Sequence, residues 1–136
     1  MPSAFVDSNV LIYAADESLP QPRKTSIARE LLRQRDLWIS VQVLNEFTVN
    51  ARRQDKLAFS PDQERQWHER LLLFAIIPLT IETFLAALTI HARYQVSHWD
   101  SLILAAAREA GCETLYTEDL ADGQVYDGIR VVNPFR

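Results

Sequence analysis

Ser3-Ala4-Phe5-Val6-Asp7-Ser8-Asn9-Val10-Leu11-Ile12-Tyr13-Ala14-Ala15 opens the chain. Its apolar run, Ala4 to Val6, predicts a short strand over Ser3 to Asp7 that stops at the polar cluster Asp7, Ser8 and Asn9. A helical segment follows from Val10 to Ala15. The same alternation recurs outward. Pro22 to Gln34 places Ile27, Ala28, Leu31 and Leu32 at helical spacing, with Pro22 tolerated in the first turn. Leu37 to Ser40 reads as a second strand. Val41 to Arg53 reads as a helix carrying Val43, Leu44, Phe47 and Ala51 on one side. Ser60-Pro61 is a start signal for a helix to Phe74. Ile76 to Leu79 is a third strand, and Ile81 to Tyr94 and Trp99 to Ala110 are further helices, the latter stopped by Gly111. Glu113 to Thr117 and Ile129 to Val132 complete the strands. Short apolar strands alternating with amphipathic helices specify an α/β sandwich, with a mainly parallel central sheet flanked by helices.

At 136 residues the chain is one domain, spanning 1–136, with no repeat or Gly/Ser linker. Hydrophobic residues make up 48% and charged residues 24%, a folding composition. The net charge of −4 provides no global basic field, so contact with nucleic acid has to be local. Only Lys24 and Lys56 are lysines among the 14 basic residues; the others are arginines. Cys112 is the single cysteine and is expected as a small buried thiol, independent of an oxidising compartment. Met1 to Val10 lacks a basic stretch followed by an apolar core. The apolar run Leu71 to Ile77 ends at Pro78, too short to cross a membrane. A cytoplasmic location is the resulting expectation.

Four acidic residues stand out. Asp7 follows the first strand, where it also suits a helix N-cap. Glu46 lies next to the apolar side of its helix rather than opposite it. Asp100 is in the first turn of its helix, where macrodipole compensation is the ordinary role. Asp119 follows the fourth strand, with Glu118 and Asp122 as neighbours able to substitute for it. In an open parallel sheet such strand-end and helix-start groups collect at the carboxyl edge. Carboxylates gathered there repel and raise one another's pKa, a penalty that a divalent cation removes. Mg²⁺ or Mn²⁺ prefers such oxygen ligands, and next to a phosphate backbone it suits hydrolysis of a phosphodiester.

The segments Phe5-Val6-Asp7-Ser8-Asn9-Val10-Leu11-Ile12-Tyr13, Val43-Leu44-Asn45-Glu46-Phe47, Trp99-Asp100-Ser101-Leu102-Ile103 and Tyr116-Thr117-Glu118-Asp119 together resemble the PIN-domain ribonucleases. The resemblance is greatest to the VapC-like toxins of bacterial toxin-antitoxin modules, and it runs through the closing Val131-Val132-Asn133-Pro134-Phe135. It implies a PIN-like three-layer sandwich and a Mg²⁺- or Mn²⁺-dependent endoribonuclease. By the resemblance Asp7, Asp100 and Asp119 are metal ligands, and Glu46 is either a ligand or a holder of metal-bound water. Ser8, Asn9 and Thr117 match supporting polar positions. An antitoxin partner and a homodimer are likewise implied. Glu118 departs from the commoner pattern, in which a neutral residue often fills that place.

Contact with RNA phosphates requires a local basic rim, for which Arg52, Arg53 and Lys56 are the candidates because they follow the Glu46 helix. Arg23 and Lys24 are expected on an ordinary solvated helix face. His68, His91 and His98 lack a metal-ligand spacing. Trp99 is suited to stacking on a base, yet its helical phase predicts a core position. No lysine follows Lys56, which disfavours a phosphoacceptor receiver domain, and Asn9 breaks the Asp-x-Asp expected of a haloacid-dehalogenase-type phosphatase. There is no glycine-rich phosphate loop or Gly-x-Ser-x-Gly element. The alternative to the nuclease is a catalytically silent PIN-like module that binds RNA or protein.

Overall fold

Strand β1 (Ala4–Val6) is apolar at every position because it is covered on both faces: all three residues are buried. In the computed structural model, which describes residues 3–136, it lies inside a six-stranded sheet. The other strands are β2 (Leu37–Ser40), β3 (Ala75–Ile77), β4 (Thr114–Tyr116), β5 (Val125–Tyr126) and β6 (Ile129–Val132), in the order β3-β2-β1-β4-β6-β5. All pairings are parallel except β5 with β6. The chain first builds the sheet outward from β1 through β2 to β3. It then returns to place β4 on the other side of β1, which puts a switch point between β1 and β4. Crevices at such points, beyond the carboxyl ends of the strands, are the usual ligand sites of open α/β sheets.

Six helices connect the strands: α1 (Ser8–Ala15), α2 (Pro22–Leu31), α3 (Val41–Arg52), α4 (Pro61–Leu71), α5 (Ile81–Tyr94) and α6 (His98–Glu109). Their starts follow local chemistry. Ser60 and Gln63 form a capping box at α4, with Pro61 in its first turn, and Thr80 and Thr83 form another at α5. Ser97 caps α6 by accepting from the Asp100 amide at 3.0 Å. Helix α6 is buried without interruption from Ser101 to Ala107, because it packs among β2, β4, β6 and α5. Its alanines allow that close approach. Cys112 is buried as expected, and burial pushes its thiol up to about 11, so it is inert.

The expected α/β sandwich is present, with differences at its ends. Helix α2 stops at Leu31 rather than Gln34, because the chain turns through Asp36 in a left-handed conformation (φ 59°) to enter β2. Helices α1 and α6 start earlier than their apolar residues predict, at Ser8 and His98, since their caps are polar. Strand β5 is an addition. Asp127 and Gly128 (φ 52° and 87°) form the two-residue turn that folds it back on β6.

Phe5 is fully buried at the centre of this core. Phe5→Ala is expected to destabilise the protein by about 3–5 kcal/mol. Urea unfolding should show a lower midpoint at unchanged slope, the signature of lost stability without a change in unfolded-state compactness.

Candidate active site

Asp7 leaves β1 and caps α1, its Oδ1 accepting from the Ser8 amide at 2.7 Å. It is only 4% exposed. The register that pairs Val6 with Tyr116 places Thr117 beside Asp7, and Thr117 Oγ1 donates to Asp7 Oδ2 at 2.8 Å. The same hydroxyl oxygen accepts from Asn9 Nδ2 at 3.0 Å and from the Asp119 amide at 3.1 Å. Asn9 Nδ2 also donates to Asp119 Oδ2 at 3.1 Å. One small network thus joins the ends of β1 and β4 and sets Asp119 against Asp7.

Asp100 arrives from the first turn of α6, and one carboxylate oxygen from each of Asp7, Asp100 and Asp119 lies within 4.8 Å of the others. Glu46 adjoins this triad from α3. Its Oε1 accepts from Ser8 Oγ at 3.1 Å and its Oε2 from Gln42 Nε2 at 3.3 Å. None of the ion pairs among the described residues involves any of these four acids. Burial, reinforced by the Glu46 and Asp119 charges and opposed by the bonds from Thr117 and Ser8, pushes Asp7 up to about 7. Partial burial raises Asp100 as well, with Asp119 and Glu46 adding to the rise and the Ser97 bond opposing it. Hard oxygen donors without a counter-cation are the donor set that Mg²⁺ or Mn²⁺ takes.

A family model for the PIN domain matches residues 4–122. The chain belongs to the PIN-domain family. Among curated proteins, none matches this PIN domain. Solved structures do. A toxin-antitoxin complex from Klebsiella pneumoniae is 25% identical with a TM-score of 0.72, over 97% of this chain and 98% of that one. VapC20 of Mycobacterium tuberculosis, a sarcin-ricin loop cleaving toxin, is 16% identical with a TM-score of 0.69, over 94% and 99%. A DNA-bound VapBC from Salmonella typhimurium is 19% identical with a TM-score of 0.68, over 96% and 97%.

Of the acids singled out in the sequence, the PIN fold brings Asp7, Asp100 and Asp119 together, with Glu46 adjacent. Ser8, Asn9 and Thr117 supply the bonds that hold them. Glu118 and Asp122 stand apart from the triad. Glu118 accepts from Tyr13 Oη at 2.7 Å and from Lys24 Nζ at 3.0 Å, and Asp122 accepts from the Asn133 amide at 2.8 Å. Lys24, half-buried, therefore differs from the solvated face expected of it, whereas Arg23 is exposed as expected while donating to the Phe135 carbonyl at 2.7 Å. The two arginines proposed for the rim are already paired, Arg52 with Glu64 and Arg53 with Asp55, each at 2.6 Å. Lys56 instead lines a cleft of about 470 Å³ shared with Asn9, Tyr13 and Glu118.

Trp99 overturns the core position predicted for it: it is 63% exposed. Its phase does match the buried Leu102 and Ile103. One turn earlier, however, it stands beside the start of α3, lining a cavity of about 380 Å³ with Gln42, Asn45, Glu46 and Leu79. Gln42 was invisible to sequence reasoning. Its Nε2 donates to the Trp99 carbonyl at 3.2 Å as well as to Glu46, while its Oε1 is buried without a partner.

The raised Asp7 pKa has a direct consequence for stability. Because the folded protein keeps this proton to about pH 7 and the unfolded chain releases it near pH 3.8, metal-free stability falls as pH rises through that window and levels above it. Asp7→Asn removes this contribution, so the variant's melting temperature should exceed that of the unmodified protein at pH 8 and approach it near pH 4. Differential scanning calorimetry in EDTA checks both points. Equal melting temperatures at pH 8 would show that Asp7 carries no such penalty.

Proposed function

We propose that this PIN domain is a Mg²⁺- or Mn²⁺-dependent endoribonuclease serving as the toxin of a toxin-antitoxin pair. The observation carrying the proposal is the convergence of the buried Asp7, the half-buried Asp100 and the exposed Asp119, from three distant segments, at one sheet edge with no cationic side chain paired to them among the described residues. Maintaining such a cluster costs stability through desolvation and repulsion, which a bound cation relieves. The similarity of the whole chain to toxins of VapBC modules supports the same reading.

In this mechanism Asp7, Asp100 and Asp119 hold the cation. Glu46 joins them as a ligand or orients the attacking water. When bound, a divalent ion supplies charge compensation at the phosphodiester and a water of lowered pKa. Thr117 and Asn9 keep Asp7 and Asp119 oriented, and Ser8 and Gln42 restrain Glu46. The N-terminus of α6 directs its partial positive charge toward the edge where the phosphate would lie. Lys56, which lines the adjoining cleft, would meet a neighbouring phosphate ahead of the already paired Arg52 and Arg53.

The test is cleavage of a mixed cellular RNA pool by the purified chain in Mg²⁺, Mn²⁺ or EDTA, beside Asp7→Asn and Asp100→Asn. Cutting is expected with either metal and not in EDTA, with both variants slower by on the order of a hundredfold or more while remaining folded. Full activity in either variant would remove that residue from the metal site. Saturating Mg²⁺ should also stabilise the unmodified chain, by about 2.7 kcal/mol at a hundredfold excess over Kd.

Two partners belong to the same proposal: a cognate antitoxin protein and a second copy of the chain, with the protein working in the cytoplasm. Among the described residues no helix is long and apolar enough to cross a membrane. Helix α5 exposes Ile81, Phe84, Leu85 and Leu88, a stripe at helical spacing suited to self-association. Leu85→Glu is expected to convert the homodimer to monomer in light scattering coupled to gel filtration, leaving far-UV circular dichroism unchanged. A dimer that persists would place the interface elsewhere.

A further inference from the structure

Three features meet in the 380 Å³ cavity between the starts of α3 and α6. Trp99 presents most of its indole to solvent one residue before Asp100, where a large apolar ring gains nothing from folding. Gln42, itself 5% exposed, has a buried Oε1 with no hydrogen-bond partner. The orientation of that amide is fixed, because its Nε2 is engaged by Glu46 and by the Trp99 carbonyl, both of which accept. The indole is also held in place: His98 packs edge-on against it at 5.5 Å and against Phe84 at 5.9 Å. An exposed, restrained aromatic ring beside an unmet acceptor suits a flat ligand that stacks and carries an N–H on its edge.

We infer that this cavity is a nucleobase subsite, in which Trp99 stacks a base of the single-stranded RNA and Gln42 Oε1, closed off in the unbound chain, is uncovered by a side-chain shift and accepts from an N–H on the base's pairing edge. The assignment rests on the ribonuclease reading and deepens it by naming the residues that would set base preference next to the scissile phosphate. Glu46 links the two regions, since it borders the cavity and adjoins the acidic triad. The exposed stripe of α5 ends at the same aromatic row, through Phe84 and His98, which makes a contact between copies of the chain the competing role for Trp99.

The experiment measures fluorescence anisotropy of a fluorescein-labelled, mixed-sequence RNA oligomer in EDTA, with the full chain and its Trp99→Ala, Trp99→Phe and Gln42→Met variants. Homopolymeric competitors of A, C, G and U report base preference. Trp99→Ala is expected to weaken binding by about fivefold to a hundredfold, the range of one lost stacking contact. Trp99→Phe should recover most of the loss. Gln42→Met should flatten the ranking of the four competitors. Equal affinity of Trp99→Ala and the unmodified chain overturns the subsite and leaves the nuclease reading intact. Affinity lost only together with self-association in gel filtration assigns Trp99 to the contact between copies and also overturns it. A chain that neither cuts nor binds RNA overturns both readings.

Discussion

The hydrogen bond from Thr117 Oγ1 to Asp7 Oδ2 crosses the seam between β1 and β4, and the arrangement of the site depends on it. Asp7 is buried at the end of the central strand, where an isolated carboxylate would be strongly disfavoured. Thr117 and the Ser8 amide recover part of that cost, but burial still dominates and holds the carboxyl well above the usual carboxylate range. The bond exists because parallel pairing puts Val6 opposite Tyr116, so the next residue of each strand meets the other beyond the ladder. A one-residue slip in this register would point Thr117 to the wrong face and leave Asp7 unsupported.

The same seam explains the departure at Glu118. A charged residue one position before Asp119 would add to the repulsion if it turned toward the triad. It turns instead to Tyr13 and Lys24, where both of its oxygens find donors. Lys24 lies 4.9 Å from the centre of the Tyr13 ring and 5.6 Å from that of Phe135, so α1, α2, the loop after β4 and the end of the chain meet around one ammonium group. Asp119 therefore follows two anchored residues, Glu118 turned outward and Thr117 turned inward. The lysine that looked like surface charge in the sequence is part of what holds the loop.

Most of the architecture was legible because each strand is a short apolar run and each helix keeps its period. Ile81 to Tyr94 was read with the observed ends, since Thr80 and the left-handed Gln95 bound a clear stripe. Ends were misjudged where a polar cap extends a helix beyond its apolar residues, as at Ser8 and His98. Strand β5 was missed because two residues carry no periodicity, although the Asp127-Gly128 pair was a turn signal that could have revealed it. The four acids were legible through their positions beside strands and helix starts, and the polar residues around them through the resemblance. Trp99 was not, because helical phase identifies a face and not whether anything covers it. Gln42 was not, because an unmet acceptor is a property of packing.

Charge placement shows how an acidic chain could engage a polyanion at all. Six arginines are committed to ion pairs: Arg33, Arg52, Arg53, Arg65, Arg93 and Arg108. Arg23, Arg29 and Arg130 donate to backbone carbonyls, and Arg70 lies over the Trp67 ring. With half of the twelve arginines paired to carboxylates, less positive potential remains to collect phosphates along an extended strand. On the proposed reading, affinity for RNA then comes from short-range terms near the acidic edge: a bound cation, the Lys56 ammonium and the exposed indole of Trp99. Such terms act over a few nucleotides and discriminate by shape and base, whereas a basic surface would hold any nucleic acid. On the same reading, an acidic surface with one site compensated by a cation favours selective cutting of a few accessible sequences over general degradation.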